Sequence, residues 1–86
     1  MSLDRAVAVA MSRGPQAALE LIDELSAAGE LDEYHLLHAA RADMLRRLGL
    51  NDAAAESYQT ALELVTNDSE RRFLERRLRE VRSLPQ

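Results

Sequence analysis

Residues 48–64 read LGLNDAAAESYQTALEL, and no other stretch of the chain carries as much structural information. Gly49 ends one predicted helix. Asn51 is expected to cap the next, because short hydrogen-bonding side chains are favoured just before a first helical turn. Small and aromatic residues then recur at three- and four-residue spacing, at Ala54, Tyr58 and Ala61. This spacing predicts a single contact face on a helix that runs to about residue 65.

The segment resembles the centre of a tetratricopeptide repeat, a helical hairpin of about 34 residues whose helices touch through small side chains. In the resemblance Ala42 and Ala54 let the paired helix backbones approach closely, and Tyr58 fills the gap beside the next helix. We therefore expect Ala42, Ala54, Tyr58 and Ala61 to be helix-contact positions. Arg41 departs from the pattern, because the repeat usually has leucine there. The matching residues are Ala42, Gly49, Ala54, Tyr58, Ala61 and Leu62.

Two further helices are predicted before this segment. One spans about 33–48, with Asp32 as its expected N-cap. The other spans about 15–28, between Gly14-Pro15 and Gly29. Proline suits the first position of a helix and glycine suits the position after its end, so both boundaries have a physical reason.

The two ends of the chain are also expected to be helical, over about 3–13 and 68–84. Asn67 and Glu70 stand three residues apart, which predicts a capping box at the start of the last helix. No stretch alternates apolar and polar residues, so no strand is expected. The last helix should cover the 51–65 helix with an apolar arc formed by Phe73, Leu74, Leu78, Val81 and Leu84.

A shift of the sequence by 36 residues aligns the first two predicted helices with the next two. Ala6 then falls on Ala42, and Glu20 falls on Glu56. Repeat proteins bury their apolar faces by stacking such units, and a terminal helix caps the stack. We therefore predict one all-α domain over 1–86. It consists of two tetratricopeptide-like helical hairpins, over about 3–28 and 33–66, and a C-terminal capping helix over about 68–84.

The composition argues against catalysis. The 86-residue chain has no cysteine, which excludes a disulfide framework, a thiolate zinc site and a cysteine nucleophile. It has no lysine for Schiff-base chemistry, no GxSxG nucleophile turn and no glycine-rich phosphate loop. We expect no enzyme, no catalytic residue and no cofactor. No apolar run reaches about 18 residues, so we expect no membrane segment and a cytoplasmic location.

His35 and His38 are the only histidines, and their spacing places them on one side of a helix. Asp32 and Glu33 lie close enough in sequence to be further metal ligands. Two histidines without a thiolate or a third histidine are nevertheless a weak metal signal. Packing or capping at the helix start is the favoured interpretation, and we expect no metal.

Charge is unevenly distributed along the chain. Residues 1–68 carry 12 acids against 5 arginines, whereas residues 69–86 carry 6 arginines against 3 acids. Three of these arginines share one face of the last helix, which raises a nucleic-acid hypothesis. Ion pairs at i, i+4 spacing, Arg71–Glu75 and Glu75–Arg79, argue for a solvated face instead, and the acidic body would repel a polyanion. The three arginines of that face are Arg72, Arg76 and Arg79.

Two further charged features have open interpretations. Arg77 falls within the apolar arc of the last helix, where it is expected to extend its head to solvent or to pair with a buried acid. Residues 20–33 hold six acids and no basic residue. A solvated surface is the favoured interpretation of this stretch, and a docking surface for a basic partner is the alternative.

Taken together, five segments resemble the C-terminal extension of a group of bacterial extracytoplasmic-function RNA polymerase sigma factors. They are LDRAVAVAM, GPQAALELIDEL, YHLLHAARADMLRRLG, AAAESYQTALEL and NDSERRFLERRLREV. The sigma regions that bind core polymerase and read promoter DNA have no counterpart in the chain. The resemblance therefore implies an excised C-terminal domain with a regulatory role in transcription initiation. Its implied partners are upstream sigma-factor domains or RNA polymerase components. The alternatives are a free-standing helical-repeat adaptor and a nucleic-acid binder.

The first predicted helix differs in character from its counterpart in the second repeat. In tetratricopeptide repeats the first helix of each pair lines the concave surface. The concave positions Ala39, Asp43, Arg46 and Arg47 are mostly polar, whereas their counterparts Leu3, Val7, Ala10 and Met11 are all apolar. An exposed apolar patch of this kind usually marks an interface. We expect the helix to pack on upstream sigma-factor helices, and a homodimer to cover it in the isolated fragment.

Overall fold

The computed structural model describes residues 8–9, 12–29 and 34–84 of the chain. Within these ranges the backbone forms four full helices and no strand, which confirms the predicted all-α class. Ala8, Val9 and Ser12 are also helical and fall within the predicted 3–13 helix. The full helices are α1 Pro15–Ala27, α2 His35–Arg47, α3 Asn51–Leu64 and α4 Asp68–Arg82.

The helices pack in chain order, α1 on α2, α2 on α3 and α3 on α4. Connections of three residues join α2 to α3 and α3 to α4, and such short links make neighbouring helices run antiparallel. Gly29 and Gly49 follow α1 and α2 with φ of 78° and 79°. Glycine adopts this left-handed conformation without steric cost, so it ends both helices.

The core is one continuous cluster to which all four helices contribute. Alanines at the α2–α3 contact leave no exposed surface, which indicates close approach of the two helix backbones. Burial of a large aliphatic side chain contributes about 1.5–3 kcal/mol, so a few such residues hold each helix in place. The cluster contains Ala18, Leu19, Ile22, Leu37, Ala42, Met44, Leu45, Ala54, Tyr58, Ala61, Val65, Leu74, Leu78 and Val81.

The starts of α2 and α3 differ in detail from the expected ones. α2 begins at His35, two residues after the approximate expected start, because Tyr34 has an extended backbone with φ −91° and ψ 108°. The expected cap Asp32 lies outside the described residues. Asn51 is the first residue of α3 and not its N-cap, a position that Leu50 occupies. The Asn51 side chain is buried, so it is turned towards the protein.

The start of α4 confirms half of the predicted capping box. The Asn67 side chain accepts a hydrogen bond of 3.1 Å from the Glu70 backbone N–H. The Glu70 carboxylate does not complete the box. It contacts the His35 imidazole at the start of α2 instead, because that ring lies across the groove between the two helices.

The apolar arc of α4 is narrower than expected. Leu74, Leu78 and Val81 are buried against α3, whereas Phe73 and Leu84 are each 48% exposed. A helix that packs on a single neighbour buries a narrow stripe at four- and three-residue spacing, and Phe73 falls beside that stripe. Among the described residues no helix is both long and apolar enough to cross a membrane.

Candidate protein-interaction surface

The α2–α4 groove is a notch between α2 and α4, which are not neighbours in the chain. It encloses about 250 Å³. Leu36 is 40% exposed and Phe73 is 48% exposed, so both offer apolar surface to an incoming group. Ala39 adds little bulk between them, which leaves space for that group. The groove is lined by His35, Leu36, Ala39, Glu70, Phe73 and Leu74.

A polar contact closes one end of the α2–α4 groove. His35 Nε2 and Glu70 Oε2 form a hydrogen-bonded pair that joins the first turn of α2 to the first turn of α4. The Tyr34 ring stands edge-on to the His35 ring, with 6.0 Å between ring centroids and 75° between the planes. The Glu70 backbone N–H donates a hydrogen bond to the Asn67 side chain. These contacts fix the distance between the two helices at this end.

Farther along α2, after Leu36 and Ala39, the helix carries three charged side chains, Asp43, Arg46 and Arg47. Asp43 binds Arg46 through one carboxylate oxygen and Arg47 through the other, with an Arg47 Nε to Asp43 Oδ2 distance of 3.2 Å. The hydrogen bond to Asp43 raises the pKa of the Arg46 guanidinium, against the opposing effect of burial. Two guanidinium groups therefore meet one carboxylate, which gives the C-terminal part of α2 excess positive charge.

Tyr58 lies beneath the charged end and is 1% exposed. Burial raises the pKa of its hydroxyl, because the phenolate would lose its hydration, and the neighbouring Arg46 guanidinium opposes that effect. Arg46 is thus held between a carboxylate on its own helix and the phenol of α3. This arrangement orients Arg46 while Arg47, on the outer side of Asp43, keeps 48% of its side chain exposed.

Arg77 connects the two ends of the groove from the side of α4. Its guanidinium carbon lies 5.3 Å from the centroid of the Phe73 ring, in cation–π geometry. Its Nη1 also contacts Glu80 Oε2 at 3.0 Å. Glu80 is exposed, so the expected pairing of Arg77 with a buried acid is wrong. The side chain crosses exposed aromatic surface and leaves its head in solvent.

The predicted contact and interaction residues fall into three groups. Ala42, Ala54 and Ala61 are fully buried, and Tyr58 lies with them between α2 and α3. Asp43, Arg46 and Arg47, which the repeat resemblance predicts to be concave, lie together in the ion-pair cluster of α2. The apolar face predicted from Leu3, Val7, Ala10 and Met11 lies outside the described residues.

A second, polar groove lies on α2 between α1 and α3 and encloses about 470 Å³. Arg41 lies in it and donates through Nε to Asp23 at 2.9 Å and through Nη1 to the buried Ser57 hydroxyl at 2.8 Å. Arg41 therefore connects three helices. Charge-assisted hydrogen bonds are among the stronger ones, which gives an arginine at this position a structural reason.

Charge alternates from helix to helix. α1 and α3 each carry three acids and no basic residue, a combined net charge of −6. α2 carries three arginines and one acid, and α4 carries six arginines and four acids, a combined +4. α2 borders both grooves, with Arg41 in the polar one and Leu36 in the other, so the acidic helices α1 and α3 flank only the polar groove.

The ion pairs expected on α4 do not form. In the part of the chain that the structure describes, neither Arg71–Glu75 nor Glu75–Arg79 is within ion-pair distance. Arg71 donates to the Val65 carbonyl oxygen at 3.1 Å, which draws it away from Glu75. The arginine row, Arg72, Arg76 and Arg79, is exposed.

The histidines do not assemble a metal site within the described residues. No group of three or more histidine, aspartate or glutamate side chains is positioned to hold an ion there. His35 is occupied by Glu70, and His38 lies in the polar groove on the far side of α2. The two side chains are therefore divided between separate surfaces.

Two features of the α2–α4 groove were not predicted from the sequence. Leu36 belongs to the same stripe as Asp43 and Arg47, so extension of that stripe by two turns towards the N-terminus would have found it. The His35–Glu70 contact joins residues 35 positions apart and has no local signal. Phe73 was assigned to the buried arc, and its exposure depends on where α2 lies.

A curated protein of Rhizobium meliloti (strain 1021), named only as an uncharacterized protein, is 35% identical over 86 residues. The match covers 99% of this chain and 20% of that protein, so the chain spans about a fifth of the length of the relative it matches. No family model matches the chain. No solved structure matches it either.

Proposed function

We propose that this chain is a non-enzymatic protein-interaction domain with a tetratricopeptide-like arrangement of helical hairpins. The observation that carries this proposal is the pair of exposed apolar side chains, Leu36 and Phe73, that face one groove between alternate helices. Exposed apolar side chains that face one groove are a common feature of protein-interaction sites. Packing of each helix on its predecessor and full burial of Ala42 and Ala54 support the repeat arrangement.

The parent that we propose is a cytoplasmic sigma factor of the extracytoplasmic-function group, in which this domain regulates transcription initiation. Support comes from the resemblance in YHLLHAARADMLRRLG and ERRFLERRL, and from a relative much longer than the chain. The proposed partners are upstream sigma-factor domains or RNA polymerase components. A free-standing adaptor is the alternative, and the complete reading frame of the parent gene distinguishes the two hypotheses. A reading frame that encodes no sigma-factor segments would refute the sigma-factor assignment.

The first predicted helix is the proposed contact with upstream sigma-factor helices, and a homodimer covers it in the isolated chain. Val9, in the described part of that helix, is 48% exposed, which supports an open apolar face. Co-expression of the chain with the upstream segment as separate polypeptides tests the contact. Val7→Glu should abolish co-purification, and Gln16→Glu, on the exposed side of α1, should not. Equal recovery of both variants refutes this contact.

The arginine row supports a second candidate function, nucleic-acid binding, because Arg72, Arg76 and Arg79 are exposed and make no ion pair in the described part of the chain. Three phosphate contacts predict a slope of about −2.7 for log affinity against log salt on duplex DNA. The triple Arg→Gln variant should remove that slope. Absence of measurable binding at low salt rejects this candidate, as the acidic body leads us to expect.

A further inference from the structure

We infer that the α2–α4 groove binds an acidic segment of another protein, anchored by one apolar side chain. This inference rests on the proposed interaction function and specifies the chemistry of its partner. The volume of about 250 Å³ is below the roughly 300–1,000 Å³ typical of small-molecule pockets. A notch of this size, between Leu36 and Phe73, suits a single side chain of a peptide and not a free metabolite.

The charged side chains farther along the same stripe of α2 select the rest of the segment. Both oxygens of Asp43 are already bound, one by Arg46 and the other by Arg47. The half-exposed Arg47 therefore presents N–H groups that no carboxylate of its own helix can fully satisfy. A carboxylate supplied by the partner completes this pairing, and a lysine or arginine in its place meets a like charge.

The electrostatics of the whole molecule point the same way. The chain has a net charge of −4, and α1 and α3 carry acids and no basic residue. An acidic segment is therefore repelled by α1 and α3 and attracted to α2 and α4, which each have a net positive charge. Such complementarity improves orientation and specificity more than it adds raw affinity.

Helix geometry sets the distance between the apolar recognition point at Leu36 and the charged one at Arg47. Leu36 and Arg47 are 11 residues apart on α2, about 16 Å at 1.5 Å per residue. An extended peptide covers about 3.3 Å per residue, so its apolar and acidic positions should lie about five residues apart. A nucleic acid fits this pattern poorly, because the notch offers apolar contact where a backbone phosphate needs a donor.

The probe is a fluorescein-labelled peptide, Leu-Phe-Ser-Gly-Ser-Asp-Glu, and its twin has two lysines in place of the acids. Anisotropy is measured at about 0.1 M and about 1 M salt, where the Debye length is roughly 10 Å and 3 Å. We expect the acidic peptide to bind about tenfold more tightly than its twin at low salt, and the difference to vanish at high salt. Equal or tighter binding of the lysine twin overturns the inference and leaves the interaction function standing.

Variants of the protein locate the site. Leu36→Asp should abolish binding of both peptides, and Arg47→Glu should reverse the preference between them. Arg13→Glu makes the same change of charge on an exposed residue before α1 and should alter neither. An equal effect of Arg13→Glu and Arg47→Glu would mean that net charge, and not the groove, selects the peptide. Circular dichroism of each variant verifies that the helices remain.

Two further outcomes separate this inference from the proposed function. A phage-displayed random peptide library that enriches sequences without acids overturns the acidic preference alone. No enrichment, with no binding of either probe, overturns the groove as an interaction surface as well. Sedimentation of the free chain measures its self-association. Self-association that Leu36→Asp or Arg47→Glu abolishes would make a second copy of this chain the occupant and overturn the assignment to another protein.

Discussion

Replacement of Ala54 by leucine tests the closeness of the α2–α3 contact. Ala54 is 0% exposed and belongs to α3, and Ala42 of the adjoining helix α2 is also fully buried. Three additional carbon atoms therefore have no free volume, and either side chains leave their rotamers or the helices separate. Overpacking of this kind costs about 1–3 kcal/mol. A chain of 86 residues has a total stability of roughly 4–13 kcal/mol, so the loss is a large fraction of it.

Thermal unfolding followed by circular dichroism measures the effect of Ala54→Leu. A loss of about 1 kcal/mol lowers the Tm of a domain of this size by roughly 4–8 °C, so we expect a decrease of about 5–20 °C. Gln59→Leu is the matched control, because it places the same side chain on the exposed face of α3. The control should leave Tm nearly unchanged. An unaltered Tm for Ala54→Leu would show that α2 and α3 do not approach closely at this position.

Three other predictions concern local features. Asn67→Ala removes the cap of α4 and should destabilise the protein by about 1 kcal/mol, measured by urea unfolding. Gly49→Val places a β-branched residue at φ 79° and should cost about 1–2 kcal/mol, whereas Gly49→Asn should cost clearly less, because no neighbouring atom obstructs a Cβ there. Burial raises the pKa of Tyr58, so the unfolded chain loses this proton at lower pH than the folded one. The contribution of Tyr58 to stability should be constant below the ordinary tyrosine pKa of about 10 and fall above it, so Tm should fall more steeply above that pH in the wild type than in Tyr58→Phe.

Helix ends were predictable where the residues that determine them lie within a few positions of the end. Gly49 ends α2 because the left-handed conformation that follows a helix favours glycine in any tertiary context. Asn67 was predicted as a cap and caps α4, because its partner is only three residues away. Asn51 has a comparable side chain, yet its burial made the cap prediction wrong. Competition between a local hydrogen bond and tertiary packing decides such cases.

Side-chain pairing on exposed helices was less predictable than helix position. The spacing of Arg71 and Glu75 is suitable for an ion pair, but the Val65 carbonyl at the helix start binds the arginine instead. Exposed i, i+4 pairs contribute only a few tenths of a kcal/mol, so any competing acceptor can displace them. The same weakness leaves the arginine row without ion pairs to any residue that the structure describes, and it keeps the nucleic-acid candidate testable.

The sequence by itself determined the all-α class, the glycine boundaries and the stripe of Leu74, Leu78 and Val81. Each depends on residues within about four positions of one another, and helical periodicity relates them directly. Only the tertiary structure placed Phe73 beside Leu36 and joined His35 to Glu70. These contacts bridge helices that are not neighbours in the chain. They depend on how far α3 holds α2 from α4, a distance that the packing of Tyr58 and the buried alanines sets and that no local pattern encodes.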